Sequence, residues 1–286
     1  MPHVKYGGLL AGLLLIIAAA GENPSPIIFA EDFESGSLEA WDADSVTDDP
    51  ERLRITSNPA HVYRGDHALE IIAQPGQESG AKLNKWFMPG HDRVYLRFYV
   101  KFDADFDQGN HLHLVQLLAN RTDNRWSAFG TAGQRPAGDD FFVTGIEPIR
   151  DFGTYPPPGA LIFYTYHMDM PPDPRSGRHW GEVFRPEPTL TLERDRWYGI
   201  EIMVQANTPG EADGEQALWV DGEHIVHFTG IRWRDSEDVK FNALWLMLYV
   251  HDSPQVNRVY FDEVVLSREY IGPLPPGNDD ETIATR

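Results

Sequence analysis

Apolar and polar residues alternate along most of this chain, and no window repeats its apolar residues at helical spacing. The pattern predicts an all-β protein. Expected strands run over 27–34, 52–56, 67–73, 81–87, 93–102, 111–118, 141–146, 161–169, 197–206, 216–220, 224–228, 243–250 and 258–267. Many strands joined by Gly, Pro and Asp turns imply a jelly-roll β-sandwich of two antiparallel sheets. One junction is explicit: Leu218-Trp219-Val220 and His224-Ile225-Val226 flank Asp221-Gly222, a dipeptide suited to a two-residue hairpin turn with positive φ. The stretches 120–140 and 171–188 read as long loops, which in a compact domain tend to form functional rims.

Alternation also assigns faces. In 93–102, Val94, Leu96, Phe98 and Val100 point to the core, while Tyr95, Arg97, Tyr99 and Lys101 point outward. In 243–251, Leu244, Leu246, Leu248 and Val250 lie opposite Trp245, Met247, Tyr249 and His251. In 197–207, Tyr198, Ile200, Ile202 and Val204 are inward, leaving Glu201 and Gln205 outward. Aromatic rings mixed with hydrogen-bonding groups suit a sugar, whose C–H faces stack on rings while its hydroxyls bind amides, carboxylates and guanidinium groups. The expectation is one concave face carrying Tyr95, Arg97, His111, His113, Tyr164, Glu201, Gln205, Trp245 and Tyr249 together, with Tyr99 and Gln116 as further sugar-binding candidates. The alternative is that such residues pack under loops as a second small core.

Composition narrows the partners. A net charge of −20 argues against nucleic acid and anionic membranes, which need clustered Lys and Arg. The lead carries Lys5, an apolar run over 7–20 and small residues at Ala18-Ala19-Ala20, the pattern of a removable signal peptide. The run is shorter than the ~20 residues of a membrane span. The protein is therefore expected to be secreted, extracellular or periplasmic, with no membrane contact after cleavage. About 265 residues then remain, enough for one large β domain over 27–272, and a Pro- and Asp-rich tail over 273–286 reads as disordered. The chain has no cysteine, so no disulfide holds this fold, which is expected to be monomeric.

Candidate chemistry concentrates in two strands. His111 and His113 project from one side of a strand and suit acid–base or hydrogen-bonding work, or simply satisfy one another structurally. With His167 or His251 they would suit zinc or copper, but the sequence fixes no third ligand, and no metal cofactor is expected to be required. Tyr164 and Tyr166 share a face and can exchange protons if nearby cations lower a phenol whose reference value is near 10. Glu31, Asp32 and Glu34 near the first strand, with Asp262 near the last, would suit a structural Ca²⁺ if the termini pair. No pair of acids spaced along one strand recommends a retaining glycosidase, although Glu147 with Glu182 or Glu201 across strands keeps hydrolysis open.

The runs Trp197-Tyr198-Gly199-Ile200-Glu201, Asn207-Thr208-Pro209-Gly210, Asp213-Gly214-Glu215, Leu218-Trp219-Val220-Asp221-Gly222 and Tyr260-Phe261-Asp262-Glu263-Val264-Val265 carry a family likeness. Together with Tyr270-Ile271-Gly272-Pro273 they resemble the C-terminal half of concanavalin-A-like polysaccharide lyases. The likeness is to the alginate-lyase group numbered family fourteen and to glucuronan lyases, and it runs from Glu31 to Gly272. Members of that group use a lysine in a Gly-Gly-Lys-Leu-Pro-Gly strand, a Ser-x-Arg pair and a Tyr-x-Tyr pair. Here Gly109-Asn110-His111-Leu112-His113 stands in the first place, so histidine replaces lysine. Phe142-Val143-Thr144-Gly145-Ile146 stands in the second without its arginine, and Tyr164-x-Tyr166 matches the third.

The resemblance implies β-elimination on a uronate-containing polysaccharide. Arg97, Gln116 or His113 would neutralise the carboxylate, His111 or Tyr164 would act as base, and Tyr166 as acid. A non-catalytic carbohydrate-binding module and a glycoside hydrolase are the alternatives, since one fold hosts several functions.

Overall fold

The computed structural model describes residues 25–43 and 49–275. The expected signal segment lies outside the described residues, as does the tail from 276 onward.

Fifteen strands form two antiparallel sheets. They are β1 (Ile27–Glu31), β2 (Leu53–Thr56), β3 (Ala68–Ala73), β4 (Gly76–His91), β5 (Arg93–Phe102), β6 (Leu112–Arg121), β7 (Phe141–Ile149) and β8 (Gly159–Tyr166). Then follow β9 (Glu182–Phe184), β10 (Thr191–Leu192), β11 (Trp197–Gln205), β12 (Gly214–Val220), β13 (Glu223–Ile231), β14 (Val239–Ser253) and β15 (Asn257–Ser267). The first sheet runs β13-β12-β11-β5-β15-β3-β2, with β1 beside β15. The second runs β10-β8-β7-β6-β14-β4, with β9 beside β8. The jelly-roll expectation holds, and each predicted strand overlaps an observed one. The two short strands β9 and β10 fall in stretches that carry no alternation long enough to read.

The core lies between the sheets and is built from the inward sets of the alternation. Val94, Leu96, Phe98 and Val100 of β5 are wholly buried, as are Leu244, Leu246, Leu248 and Val250 of β14. Phe142, Phe163, Phe241 and Phe261 fill the space between them, each burial contributing about 1.5–3 kcal/mol. One polar cluster crosses this apolar layer. Thr144 Oγ1 of β7 and Thr165 Oγ1 of β8 lie within 2.9 Å and 3.2 Å of Gln216 Oε1 on β12, tying the two sheets behind the strand that carries Tyr164 and Tyr166.

The Asp221-Gly222 hairpin forms as predicted, with φ of 52° and 83°. Both central residues of this turn need positive φ, which Gly reaches without steric cost. A Cβ on Gly222 would also stand 2.8 Å from Cγ of Pro273. Pro273 and Leu274, placed in the tail by the sequence reading, thus contact Gly222 and Tyr99.

Candidate active site

The second sheet presents its outer face to an open groove of about 860 Å³. Its floor comes from the outward sets of adjacent strands. These are His113 and Gln116 of β6, Tyr164 and Tyr166 of β8, and Trp245, Met247, Tyr249 and His251 of β14. In β6, Leu114 and Val115 both point to the core, where pairing with β14 shifts register between Leu246 and Tyr249. The groove face of β6 therefore passes from His113 to Gln116 instead of to residue 115. The two long loops form the rim, one through Gly130 and Thr131, the other through Asp173 and Trp180.

One end of the groove is a histidine cluster over a buried acid. Glu147 of β7 is fully buried, and its carboxylate spans two rings: Oε1 lies 3.0 Å from His111 Nε2, and Oε2 lies 2.9 Å from His113 Nδ1. Burial by itself raises a carboxyl, but His113 and His111 override it and bring Glu147 down to about 2. An ionised carboxylate only accepts, so both rings donate N–H to it. That fixes their orientation and leaves Nδ1 of His111 and Nε2 of His113 for other partners.

His251 completes the cluster, its ring centroid 4.9 Å from that of His111 and 5.6 Å from that of His113. Burial, then the neighbouring His111 and His113, lowers its imidazole to about 4.

Next along the groove stand the tyrosines. Tyr164 packs 5.4 Å from both His111 and His113, and 5.8 Å from Tyr166, measured between ring centroids. Its ring lies against Gly181 and beside that of Tyr166. Burial, then Tyr166 and Glu147, push the Tyr164 phenol upward, so it keeps its proton. Beyond them, Trp245 is flanked by Phe129 at 5.0 Å and by Lys82 Nζ, 4.2 Å from its ring. Burial lowers the Lys82 ammonium.

His111, His113, Tyr164, Tyr166, Gln116, Trp245 and Tyr249 are thus gathered on one face. Tyr95, Arg97, Tyr99, Glu201 and Gln205 are not. They lie on the outer face of the first sheet, on the far side of the core, and the expectation of one shared face is corrected accordingly. Alternation assigns inward and outward within a strand, but both sheets of a sandwich have an outward face.

On that back face most polar groups are already satisfied, with buried Arg97 Nε an exception. Glu201 accepts from the N–H groups of Ile271 and Gly272 at 2.8 and 2.9 Å, and Arg97 Nη1 donates to the Gly272 carbonyl at 3.0 Å. Tyr99 accepts from Leu274 N–H and stacks on Tyr63 with centroids 3.8 Å apart. Tyr95 packs against Trp219 and Tyr270, while Gln205 Oε1 accepts from Arg93 Nε at 2.6 Å. These residues pack under 270–274, as in the alternative reading, whereas the second buried apolar cluster, with Trp86, Phe141, Tyr164 and Tyr166, lies on the groove side.

Other candidates separate as well. His167 is bound 2.6 Å from Glu182 and does not join the histidine cluster, and Glu201 is on the back face, so neither acid faces Glu147 across the groove. The carboxylates offered for Ca²⁺ face N–H groups: Glu31 accepts from Phe33, Glu34 from Asp66 and His67, and Asp262 from Tyr63 and Arg64. Among the described residues, the one group of three potential ligands is His111, His113 and His251.

The reading from sequence missed Lys82 and the bridging role of Glu147. Alternation places Lys82 opposite Ala81 and Leu83, and Glu147 opposite Ile146, so the parity signal was there. Which sheet each strand joins was not.

A two-sheet jelly roll with an open, aromatic-floored groove across one sheet is the architecture expected from the concanavalin-A-like lyase resemblance. The model of the family "Polysaccharide lyase 14" matches residues 184–250. That segment holds β10 to β13 and most of β14, so it includes Trp245 and Tyr249 but neither the histidine pair nor the tyrosine pair.

Among solved structures, the alginate lyase vAL-1 from Chlorella virus superposes with a TM-score of 0.64 at 16% identity, covering 85% of this chain and 100% of that one. The PL-14 alginate lyase from Aplysia kurodai gives 0.63 at 15% identity, with coverage of 86% and 99%. The endo-β-1,4-glucuronan lyase from the fungus Trichoderma reesei gives 0.58 at 17%, with coverage of 85% and 96%. No curated protein matches the sequence significantly. The likeness to polysaccharide lyases read from the sequence therefore holds, and the structural matches establish the fold over nearly the whole described chain.

Proposed function

We propose that this protein is an exported polysaccharide lyase that cleaves a uronate-containing polysaccharide by β-elimination in the groove of the second sheet. The observation that carries the reading is the convergence, on one open face, of the Glu147-backed histidines and the adjoining rings of Tyr164 and Tyr166. The partial family match and the lyases that share the fold support it. The apolar lead before Gly21 supports export.

The groove is wide enough for a chain of sugar rings, with Trp245 and Tyr249 offering faces on which pyranose C–H groups stack. A uronate carboxylate set against the histidine cluster is neutralised there, which acidifies the adjacent C5–H. Burial keeps the Tyr164 phenol protonated, leaving Tyr166 as the tyrosine that works on the sugar. Tyr166 acts as the base and takes the proton from C5. As the C4–O4 bond breaks and a C4=C5 double bond forms, Tyr166 returns that proton to O4. The products are a new hydroxyl end and an unsaturated uronate end, with no other reactant consumed.

Alginate, glucuronan, pectin and glycosaminoglycans incubated separately with the protein test this. A rise in ultraviolet absorbance with one of them, from the unsaturated end, is the expected result. New reducing ends without absorbance would make the protein a hydrolase, and retention on a polysaccharide gel without either would make it a binding module.

A further inference from the structure

From the arrangement of His111, His113 and His251 we infer that the groove binds one divalent transition-metal ion, zinc in the first instance, whose open coordination position receives the uronate carboxylate. This rests on the lyase reading for the metal's role, but not for its binding. The three residues each offer a ring nitrogen, and these nitrogens lie within 4.8 Å of one another.

Tetrahedral zinc with Zn–N bonds near 2.0–2.1 Å needs ligand nitrogens roughly 3.3 Å apart. The rings therefore close in by about 1.5 Å at most, within reach of side-chain rotation at residues that border an open groove. His113 lies on β6, His111 immediately precedes that strand, and His251 comes from the neighbouring β14, so the sheet fixes the backbone at two of the three positions.

A second feature is Glu147. A buried carboxylate that accepts an N–H from each of two ligand imidazoles is the outer partner that metal-binding histidines require, because it sets the ring orientation and makes the remaining nitrogen a better donor. Three neutral nitrogen ligands are the set found in catalytic zinc sites that keep a fourth position for water or substrate. Here that position faces the groove, since Glu147 closes the opposite side. His167, the other candidate third ligand, is engaged by Glu182, so His251 completes the set.

The ion would place positive charge directly at the histidines. Arg97 lies on the back face, Gln116 is neutral, and Lys82 sits over Trp245, away from the histidines. As a Lewis acid holding the carboxylate, the metal stabilises the charge that develops when C5 loses its proton. The two alternating histidines alone had argued against a required metal; the third ring, supplied by a strand 138 residues later, is what revises that expectation.

The test uses the full chain, stripped with EDTA and dialysed, then titrated with Zn²⁺ by calorimetry and with Co²⁺ by visible absorption. Expected are one equivalent of either ion, an intense tetrahedral Co²⁺ band, and a rise in melting temperature with Zn²⁺. His251→Ala, at an exposed side chain, should fold normally and lose saturable binding, and Glu147→Gln should weaken binding by about 10–100-fold. Absence of stoichiometric binding by the wild type, or unchanged binding by His251→Ala, would overturn the site.

Chelation separates this from the lyase reading. Turnover abolished by EDTA and restored by Zn²⁺ supports both. Uronate cleavage undiminished in stripped protein removes the metal's role and leaves the lyase. One bound equivalent with no cleavage of any uronate polymer keeps the site and removes the lyase.

Discussion

The two outer faces of this sandwich carry much the same residue types and have opposite fates. Over the second sheet, rings and polar groups face an open groove; over the first, the same kinds of residue are covered by 270–274 and by the turn that carries Tyr63. The carboxylates record the difference. Glu147 in the groove is held down to about 2 because two histidines override its burial, whereas burial pushes Asp262 on the back face up to about 7, with backbone N–H groups of Arg64, Tyr63 and Glu263 only partly opposing it. Glu201, also on the back, is raised for the same reason. A binding face is thus distinguished from a packed one by whether the chain's own backbone already satisfies its polar groups.

The sharpest way to break this contrast is Tyr166→Phe, which deletes a hydroxyl and keeps the ring. Turnover of the cleaved polymer should fall by ~10²–10⁴-fold, the loss typical of a general acid or base, with the melting temperature nearly unchanged. A variant that turns over at the wild-type rate would remove Tyr166 from the mechanism.

The mirror experiment is Glu201→Ala on the back face. It removes charge-assisted bonds to Ile271 and Gly272 and should destabilise the fold by about 1.5–3 kcal/mol, while kcat and KM at 25 °C stay unchanged. At about 2–4 °C per kcal/mol for a domain of this size, differential scanning calorimetry resolves the shift. A rise in KM without loss of stability would instead place sugar on that face.

Smaller effects sharpen the picture of the groove floor. Tyr249→Phe should leave KM as it is and Tyr249→Ala should raise it a few-fold, matching the ~0.5–1.5 kcal/mol worth of a ring contact. Steady-state kinetics on both variants checks this, and a loss of turnover in Tyr249→Phe would give its hydroxyl a chemical role instead.

A separate effect is in the pH dependence of stability. Asp262 has an ordinary value of 3.8 and a folded value near 7, so the folded protein holds this proton more tightly than the unfolded chain does. Its stabilisation is complete below about pH 3.8 and disappears as pH rises through 7. Asp262→Asn should flatten this part of the stability profile between pH 4 and 8 in urea titrations, and an unchanged slope would contradict the assignment.

These two faces also mark where the sequence was legible and where it was not. Strand positions and inward residues such as Val94, Leu96, Leu246 and Leu248 follow from a period of two, which is local physics, and Asp221-Gly222 dictated its own turn. Tyr164 with Tyr166, and His111 with His113, were legible because the members of each pair stand two residues apart. Whether Arg97 and His113 share a face is a question of sheet order. That order is decided by long-range pairing, β5 with β11 and β15 in one sheet, β6 with β7 and β14 in the other, and no local pattern encodes it. The cover over Glu201 likewise comes from residues 70 positions away, and the bridge from Glu147 to both histidines depends on β7 lying beside β6.

The central claim is that the groove over the second sheet, and not the back of the first, is where the polymer is held and cut. A crystal structure of Tyr166→Phe with an oligosaccharide of the cleaved uronate polymer tests it directly. The account predicts a sugar ring stacked on Trp245 or Tyr249, with a carboxylate at His111, His113 and His251 and its C5 facing residue 166. A chain bound against Tyr95, Trp219 and Tyr270, or one whose carboxylates point away from the histidines, would contradict it.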